Sequence, residues 1–250
     1  MGKELVFISH ITEEKDLASL LAKLIKESYL GMLDTFVSSD GESIPSGSRW
    51  IDSIDNALSN SAIQISLCSP QSIKRPWINF EAGASWIRKI PVIPLCHSGL
   101  EKGSLPIPLA LLQSANIDDQ ADLKKVFELL SHVLGTKSCP SIDYSKFIQE
   151  YQNFSYHYVF IDKVKSAIYE LISSKAELRE PLLSGKYRSI NITIEDYLFI
   201  QIAPKLDLLK NFDLLSYTFN GTMMTQNGIF RKGDIVLTQK YLNEIIPLLR

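Results

Sequence analysis

A chain of 250 residues, 45% apolar and 22% charged, has material for one large core or two smaller ones, and none of its apolar runs reaches the length of a bilayer-spanning helix. Its formal charge of -2 is evenly spread: residues 1–139 hold 13 Lys and Arg against 16 Asp and Glu, and residues 140–250 hold 13 against 12, so neither half has the basic excess of a nucleic-acid binder. The segment MGKELVFISH lacks the basic, apolar, small-residue succession of a secretory leader, and Cys68, Cys96 and Cys139 are too widely spaced for a disulfide framework or a zinc knuckle, so the expectation is a cytoplasmic protein with no membrane or nucleic-acid partner.

ELVFISH (4–10) is a compact apolar run that predicts a strand. TEEKDLASLLAKLIKESYL (12–30) then places Leu17, Leu20, Leu21, Leu24 and Ile25 on one helical stripe. Thr12 suits its N-cap, and Glu13, Glu14 and Asp16 suit the positive end of the helix dipole. DTFVSSD (34–40) predicts a second strand, followed by the turn-rich loop DGESIPSGSR (40–49) and a short helix from Trp50 to Leu58. AIQISLCS (62–69) is a third strand, WINFEAGASWIRK (77–89) lies on a helix, and IPVIPLC (90–96) is a fourth strand. ANI (115–117) forms a short fifth strand before an amphipathic helix over 121–134, which Gly135 stops.

Strands alternating with helices predict an α/β domain over residues 1–139, a largely parallel sheet covered on both faces. Ligands of such sheets bind beyond the carboxyl ends of the strands, which here means Ser9 and His10, Asp40 onward, Ser69 onward and His97 onward.

Residues 140–250 differ in character and predict a smaller, mainly helical domain with a β-hairpin. Residues 141–175 are aromatic-rich and helical in pattern, a polar hinge follows at PLLSGKYRS (181–189), and a helix is expected over 193–210. Three turn signals, Asn220-Gly221, Asn227-Gly228 and Lys232-Gly233, then lie among β-formers and predict a hairpin or small meander before a closing helix over 239–249. A winged-helix-like module fits this order, but its basic cluster is only Arg231-Lys232, so an interaction or oligomerisation role is the better expectation.

Several chemistries common on α/β sheets lack their parts. Neither GxGxxG nor GxxxxGK[ST] occurs, the first and third strands end in Ser9-His10 and Ser69-Pro70 rather than in acids, and no HExxH or His/Cys spacing predicts a metal site. His97, His132 and His157 read as surface or helix-face residues.

Trp77 and Glu81 stand four apart, so their side chains are neighbours on one helix face. Taken alone, the pair reads first as a core indole beside a solvated carboxylate and only second as an aromatic wall beside a working one. In order along the chain, VFISHITEEKD, DTFVSSDGESIPSGSRW and ISLCSPQSIKRPWINFEAG resemble the first strand and loop, the BB loop and the WxxxE helix of a TIR domain of the bacterial kind, over roughly residues 4–135.

That resemblance implies a flavodoxin-like fold and a nucleosidase activity that cleaves the nicotinamide–ribose bond of NAD+, in many relatives for antiphage defence, releasing ADP-ribose or a cyclic form of it. It implies Glu81 as the catalytic carboxylate, with Trp77, Ser9, His10, Phe7, Asp40 and Trp50 around the substrate, and with neither metal nor cofactor beyond NAD+ itself. It further implies a homo-oligomer assembled through the BB loop, and a sensor or effector partner for the C-terminal domain. Arg49 reads as a solvated loop residue and Trp86 as a structural one. The alternative is a non-catalytic scaffold or signalling module of the same fold.

Overall fold

The computed structural model describes residues 3–37, 50–136, 138–226 and 228–249, with the backbone alone described for residues 50–53 and 220. The chain divides into two compact units, Met1–Tyr158 and Val159–Arg250.

In the first unit, β1 (Glu4–Ser9), β2 (Leu33–Val37), β3 (Ser61–Cys68), β4 (Val92–Cys96) and β5 (Ala115–Asn116) form one parallel sheet in the order β2-β1-β3-β4-β5. This is the doubly wound flavodoxin-like order, whose direction of winding reverses between β1 and β3 and opens a crevice at their carboxyl ends. Helices α1 (Lys15–Ser28), α2 (Trp50–Ser59), α3 (Pro76–Ile87) and α4 (Gln120–Val133) alternate with the strands.

Alternation along the strands sorts side chains onto two faces. Val6 and Ile8 of β1, Ile63, Ile65 and Leu67 of β3, and Ile93 and Leu95 of β4 share a core with Leu17, Leu21 and Ile25 of α1 and with Leu123, Phe127 and Leu130 of α4. Each such fully buried side chain contributes roughly 2 kcal/mol. Asp119 caps α4 by accepting from the N–H groups of Ala121 and Asp122 at 2.7 and 3.1 Å, and beyond the helix Gly135 turns left-handed at φ +70°.

Helix α5 (Ser145–Ser174) belongs to both units. Phe147 and Tyr151, with Tyr144 just before the helix, are buried in the core of the first unit, which therefore runs past residue 139, where strand alternation ends. Val164, Ala167, Ile168 and Leu171 belong to the core of the second.

The second unit continues with α6 (Arg179–Ser184), β6 (Ser189–Glu195), α7 (Asp196–Asn211), β7 (Leu215–Thr225) and β8 (Gly228–Leu237). Its strands form an antiparallel sheet in the order β6-β8-β7. The expected hinge at 181–189 begins inside α6, and β6 starts at its last residue, Ser189, and takes the first residues of the helix expected from 193. SINITIE alternates, and Ile190, Ile192 and Ile194 face the core while Ser189, Asn191 and Thr193 face solvent. A single helix, α7, connects β6 to the hairpin, where a helix-turn-helix motif would have two.

Only one of the three expected turns closes the hairpin, between Thr225 and Gly228. Asn220-Gly221 lies at a register break within β7, and Gly233 lies inside β8, where a Cβ would strike the Thr218 carbonyl and the Phe219 ring. The expected closing helix is instead a π turn (Tyr241–Ile245) followed by a 3-10 turn (Ile246–Leu249), because Pro247 has no N–H to continue an α ladder. Among the described residues no helix is long and apolar enough to cross a membrane.

Candidate functional site

Helix α3 starts sharply, with Arg75 extended and Pro76 at the first helical position, where a missing N–H costs nothing. Its buried residues are Ile78, Glu81, Ala82 and Ser85, the i, i+3, i+4, i+7 stripe of an inward face. Glu81 thus occupies a position where helix packing calls for an apolar side chain, and it has no accessible surface. A carboxylate so placed needs hydrogen bonds to persist. Ser9, the last residue of β1, donates to Oε2, and the Trp77 indole N–H donates to Oε1 at 2.7 Å.

The sheet beneath is polar where parallel sheets are ordinarily apolar. Phe7 and Ser9 are in register with Gln64 and Ser66 of β3, so the four share a face, and all are fully buried. Gln64 donates to Ser66 Oγ at 2.8 Å, while the Gln64 side-chain carbonyl and the Ser85 hydroxyl have no hydrogen-bond partner among the described residues. Buried polar atoms are ordinarily hydrogen-bonded to protein or to ordered water, so these two positions have room in their bonding for a further donor or acceptor.

Trp77 is half-buried, with its ring stacked on Phe80 at 4.9 Å, and Phe80 is exposed. Together they present an aromatic edge beside the carboxylate. Phe7 is fully buried, stacks on Phe36 at 5.4 Å and packs with Ile54, Leu58 and Trp77, which puts it under this wall as support. His10 is also buried, with Nδ1 3.4 Å from the Ile8 carbonyl. The structure therefore brings Glu81, Trp77 and Ser9 together by direct bonds, with Phe7 behind them. Asp40 and Arg49 lie outside the described residues, and of Trp50 only its place at the start of α2 is described. Trp86, expected to be structural, is 71% exposed because it lies off the inward stripe of α3.

A second buried carboxylate is the largest departure from the sequence reading. Glu14 does not sit in solvent at a helix dipole but is fully buried, in a 3-10 turn (Thr12–Glu14) that precedes α1. Its Oε1 takes Ser69 Oγ at 2.7 Å and the Tyr158 hydroxyl at 3.1 Å, with His97 Nε2 also at 3.1 Å, while Oε2 takes the Ile11 N–H at 3.3 Å. His97, expected at the surface, is buried in this cluster, and its Nδ1 meets Ser98 Oγ at 3.0 Å. Burial alone would raise the Glu14 carboxyl, but the His97 hydrogen bond and charge, with the Ser69 and Ile11 donors, outweigh it and hold the group below its ordinary value of 4.5. Burial, with the adjacent Glu14 charge, pushes the Tyr158 phenol far up, so it stays a donor. Acids in the first turn of a helix are so common that nothing in TEEKD distinguishes Glu14 from Glu13; the cue lies in its partners, a serine and a histidine each directly after a strand.

Residues 6–130, half of the chain, match the family model of the TIR domain. The chain belongs to the TIR family. A search of curated proteins finds no match. In this TIR domain the paired Trp77 and Glu81 lie on α3, next to the β1/β3 reversal point, which is where the doubly wound order opens its crevice. Among the described residues there is no grouping of His, Cys, Asp and Glu able to hold a metal ion.

Proposed function

We propose that the protein is an NAD+ nucleosidase of the bacterial antiphage-defence kind, acting in the cytoplasm and activated by self-assembly through the BB loop or by a partner of the C-terminal unit. The observation that carries this reading is the Glu81 carboxylate, buried in the inward stripe of α3 and tied to Ser9 and Trp77. It stands beside the aromatic edge of Trp77 and Phe80 at the β1/β3 reversal point, which supports a part in chemistry rather than in packing alone.

The reaction needs little else. Nicotinamide in NAD+ already carries positive charge, so its bond to ribose breaks without a general acid, leaving an oxocarbenium-like ribose and a neutral pyridine. Glu81 steadies that cation by charge and by accepting from ribose hydroxyls. Water then adds to the anomeric carbon and loses a proton, giving ADP-ribose; attack by an adenine nitrogen instead gives the cyclic product. Trp77 and Phe80 flank the nicotinamide end, and Ser9 orients the carboxylate until substrate hydroxyls replace it.

Ser9 and Glu81 are both closed to solvent, so substrate entry requires movement of whatever covers them. This favours an enzyme that is quiet until assembled. The same closure also suits the second reading, a signalling scaffold in which the Ser9–Glu81–Trp77 bonds only lock α3 to β1. The deciding experiment is nicotinamide release from NAD+ by the full chain, dilute and under crowding, with Glu81→Gln alongside. Release by the wild type and none by the variant, at equal helix content, establishes the enzyme, and mass analysis separates linear from cyclic product. No release in any assembled state establishes the scaffold. Loss of phage protection in bacteria expressing Glu81→Gln tests the defence role.

A further inference from the structure

In the sheet of the second unit, β6 is an edge strand without the usual protection. β6 pairs only with β8, in unbroken register from Ser189 opposite Val236 to Glu195 opposite Phe230, so its other side presents backbone N–H and C=O groups to no strand among the described residues. Sheet edges usually carry a device that prevents pairing with another chain: shortness, a bulge, proline or charge. β5 is two residues long, and β7, the opposite edge of the same sheet, has a register break between Phe219 and Gly221. β6 has seven residues, no proline or glycine, and no charge before Glu195.

A groove of about 250 Å³ runs along this edge. Glu177, Leu178, Pro181 and Tyr187 line it together with residues 189–192. Ser189 and Asn191 belong to the solvent face of the strand and Ile190 and Ile192 to its core face, so only a cavity at the strand's edge touches all four.

Charge selects the occupant. Lys186 and Arg188 precede the strand, and Glu195 and Asp196 close it. A second copy of β6 running antiparallel about Ile192 sets Arg188, which also donates to Gln239, opposite Asp196, whose Oδ1 also accepts from Arg231, and Ser189 opposite Glu195, with Ile190 opposite Ile194 on the core side. Parallel pairing would set like charges together. We propose that β6 is a homodimerisation edge: two copies of the chain join their second units through antiparallel β6–β6 pairing into one continuous six-stranded sheet. The interface is isologous, as a two-fold dimer requires. It is independent of the enzymatic reading, although holding two TIR domains on one dimer raises their effective concentration for assembly.

The test is the oligomeric state of the full chain by sedimentation over a range of concentrations. The wild type is expected to dimerise. Asn191→Lys with Thr193→Lys, both at exposed positions, sets lysine against lysine on each side of the two-fold axis and should weaken the dimer roughly tenfold at unchanged circular dichroism. Register is read separately: Asn191→Cys mixed with Thr193→Cys should give a disulfide-linked pair on mild oxidation, in higher yield than either variant alone. A wild type that stays monomeric at its highest soluble concentration overturns the proposal, as does a dimer unaffected by both lysines or cross-links that ignore the register.

Discussion

Two glutamates of the TIR domain, Glu81 and Glu14, are each fully buried near the carboxyl end of a parallel strand and each bonded to a serine that ends or follows one. Their surroundings differ. Glu14 is saturated, with Ser69, Tyr158, His97 and the Ile11 N–H all directed at it, and its partners come from four separate segments. Among the described residues Glu81 accepts from Ser9 and from a half-buried indole, above a sheet face where the Gln64 side-chain carbonyl and the Ser85 hydroxyl have no hydrogen-bond partner among them. Burial of charge is therefore not in itself a sign of function. What distinguishes Glu81 is the half-buried Trp77 and exposed Phe80 beside it and its place at the β1/β3 reversal point, where ligands of doubly wound sheets bind.

Replacement of each carboxylate should separate these roles. The largest effect expected is on activity: Glu81→Gln lowers nicotinamide release at least about a thousandfold while the urea midpoint moves little, since the amide still accepts one of the two hydrogen bonds. Glu14→Ala should act the other way, costing about 3 kcal/mol in urea unfolding because a histidine and two hydroxyls lose a buried partner. The comparison fails if Glu14→Ala spares stability or if Glu81→Gln spares release.

Finer tests follow. Trp77→Phe keeps a ring in the wall but removes the donor to Glu81, and should reduce release about tenfold, read as a fall in kcat. Tyr158→Phe removes one of several donors to Glu14 and should cost about 1 kcal/mol in the same urea assay. The pH profile shows the smallest difference. Glu14 is held below its ordinary value of 4.5, so its contribution is complete above that pH and is lost as pH falls through the depressed folded value. The acid limb of wild-type stability below pH 4.5 should therefore be steeper than that of Glu14→Gln.

The sheet of the first unit was legible because β-branched runs alternate with amphipathic stripes, two periods that sequence displays directly. β6 was not, because its three isoleucines are interleaved with Ser, Asn and Thr next to SGKYR, and the polar neighbours read as a hinge. The contact of Trp77 with Glu81 is legible in their four-residue spacing, and the position of Ser9 in its place at the end of the first apolar run. The polar floor was visible in principle: AIQISLCS puts Gln64 and Ser66 on alternate positions of a central strand, where both faces are normally apolar. Glu14 and His97 were hidden because they meet across 83 positions of chain, and no local pattern records which strand ends become neighbours.

The first turns of α5 also bear on how this protein is to be cut. Residues 6–130 carry the family signature, yet Phe147, Tyr151 and Tyr158 lie beyond it and reach back, two into the core and one onto Glu14. A graft severed at the signature's end would carry a bare greasy patch and a buried anion short of one donor into its new host. This TIR domain is therefore not a detachable cassette, and its inheritable piece extends into the helix that leads away from it.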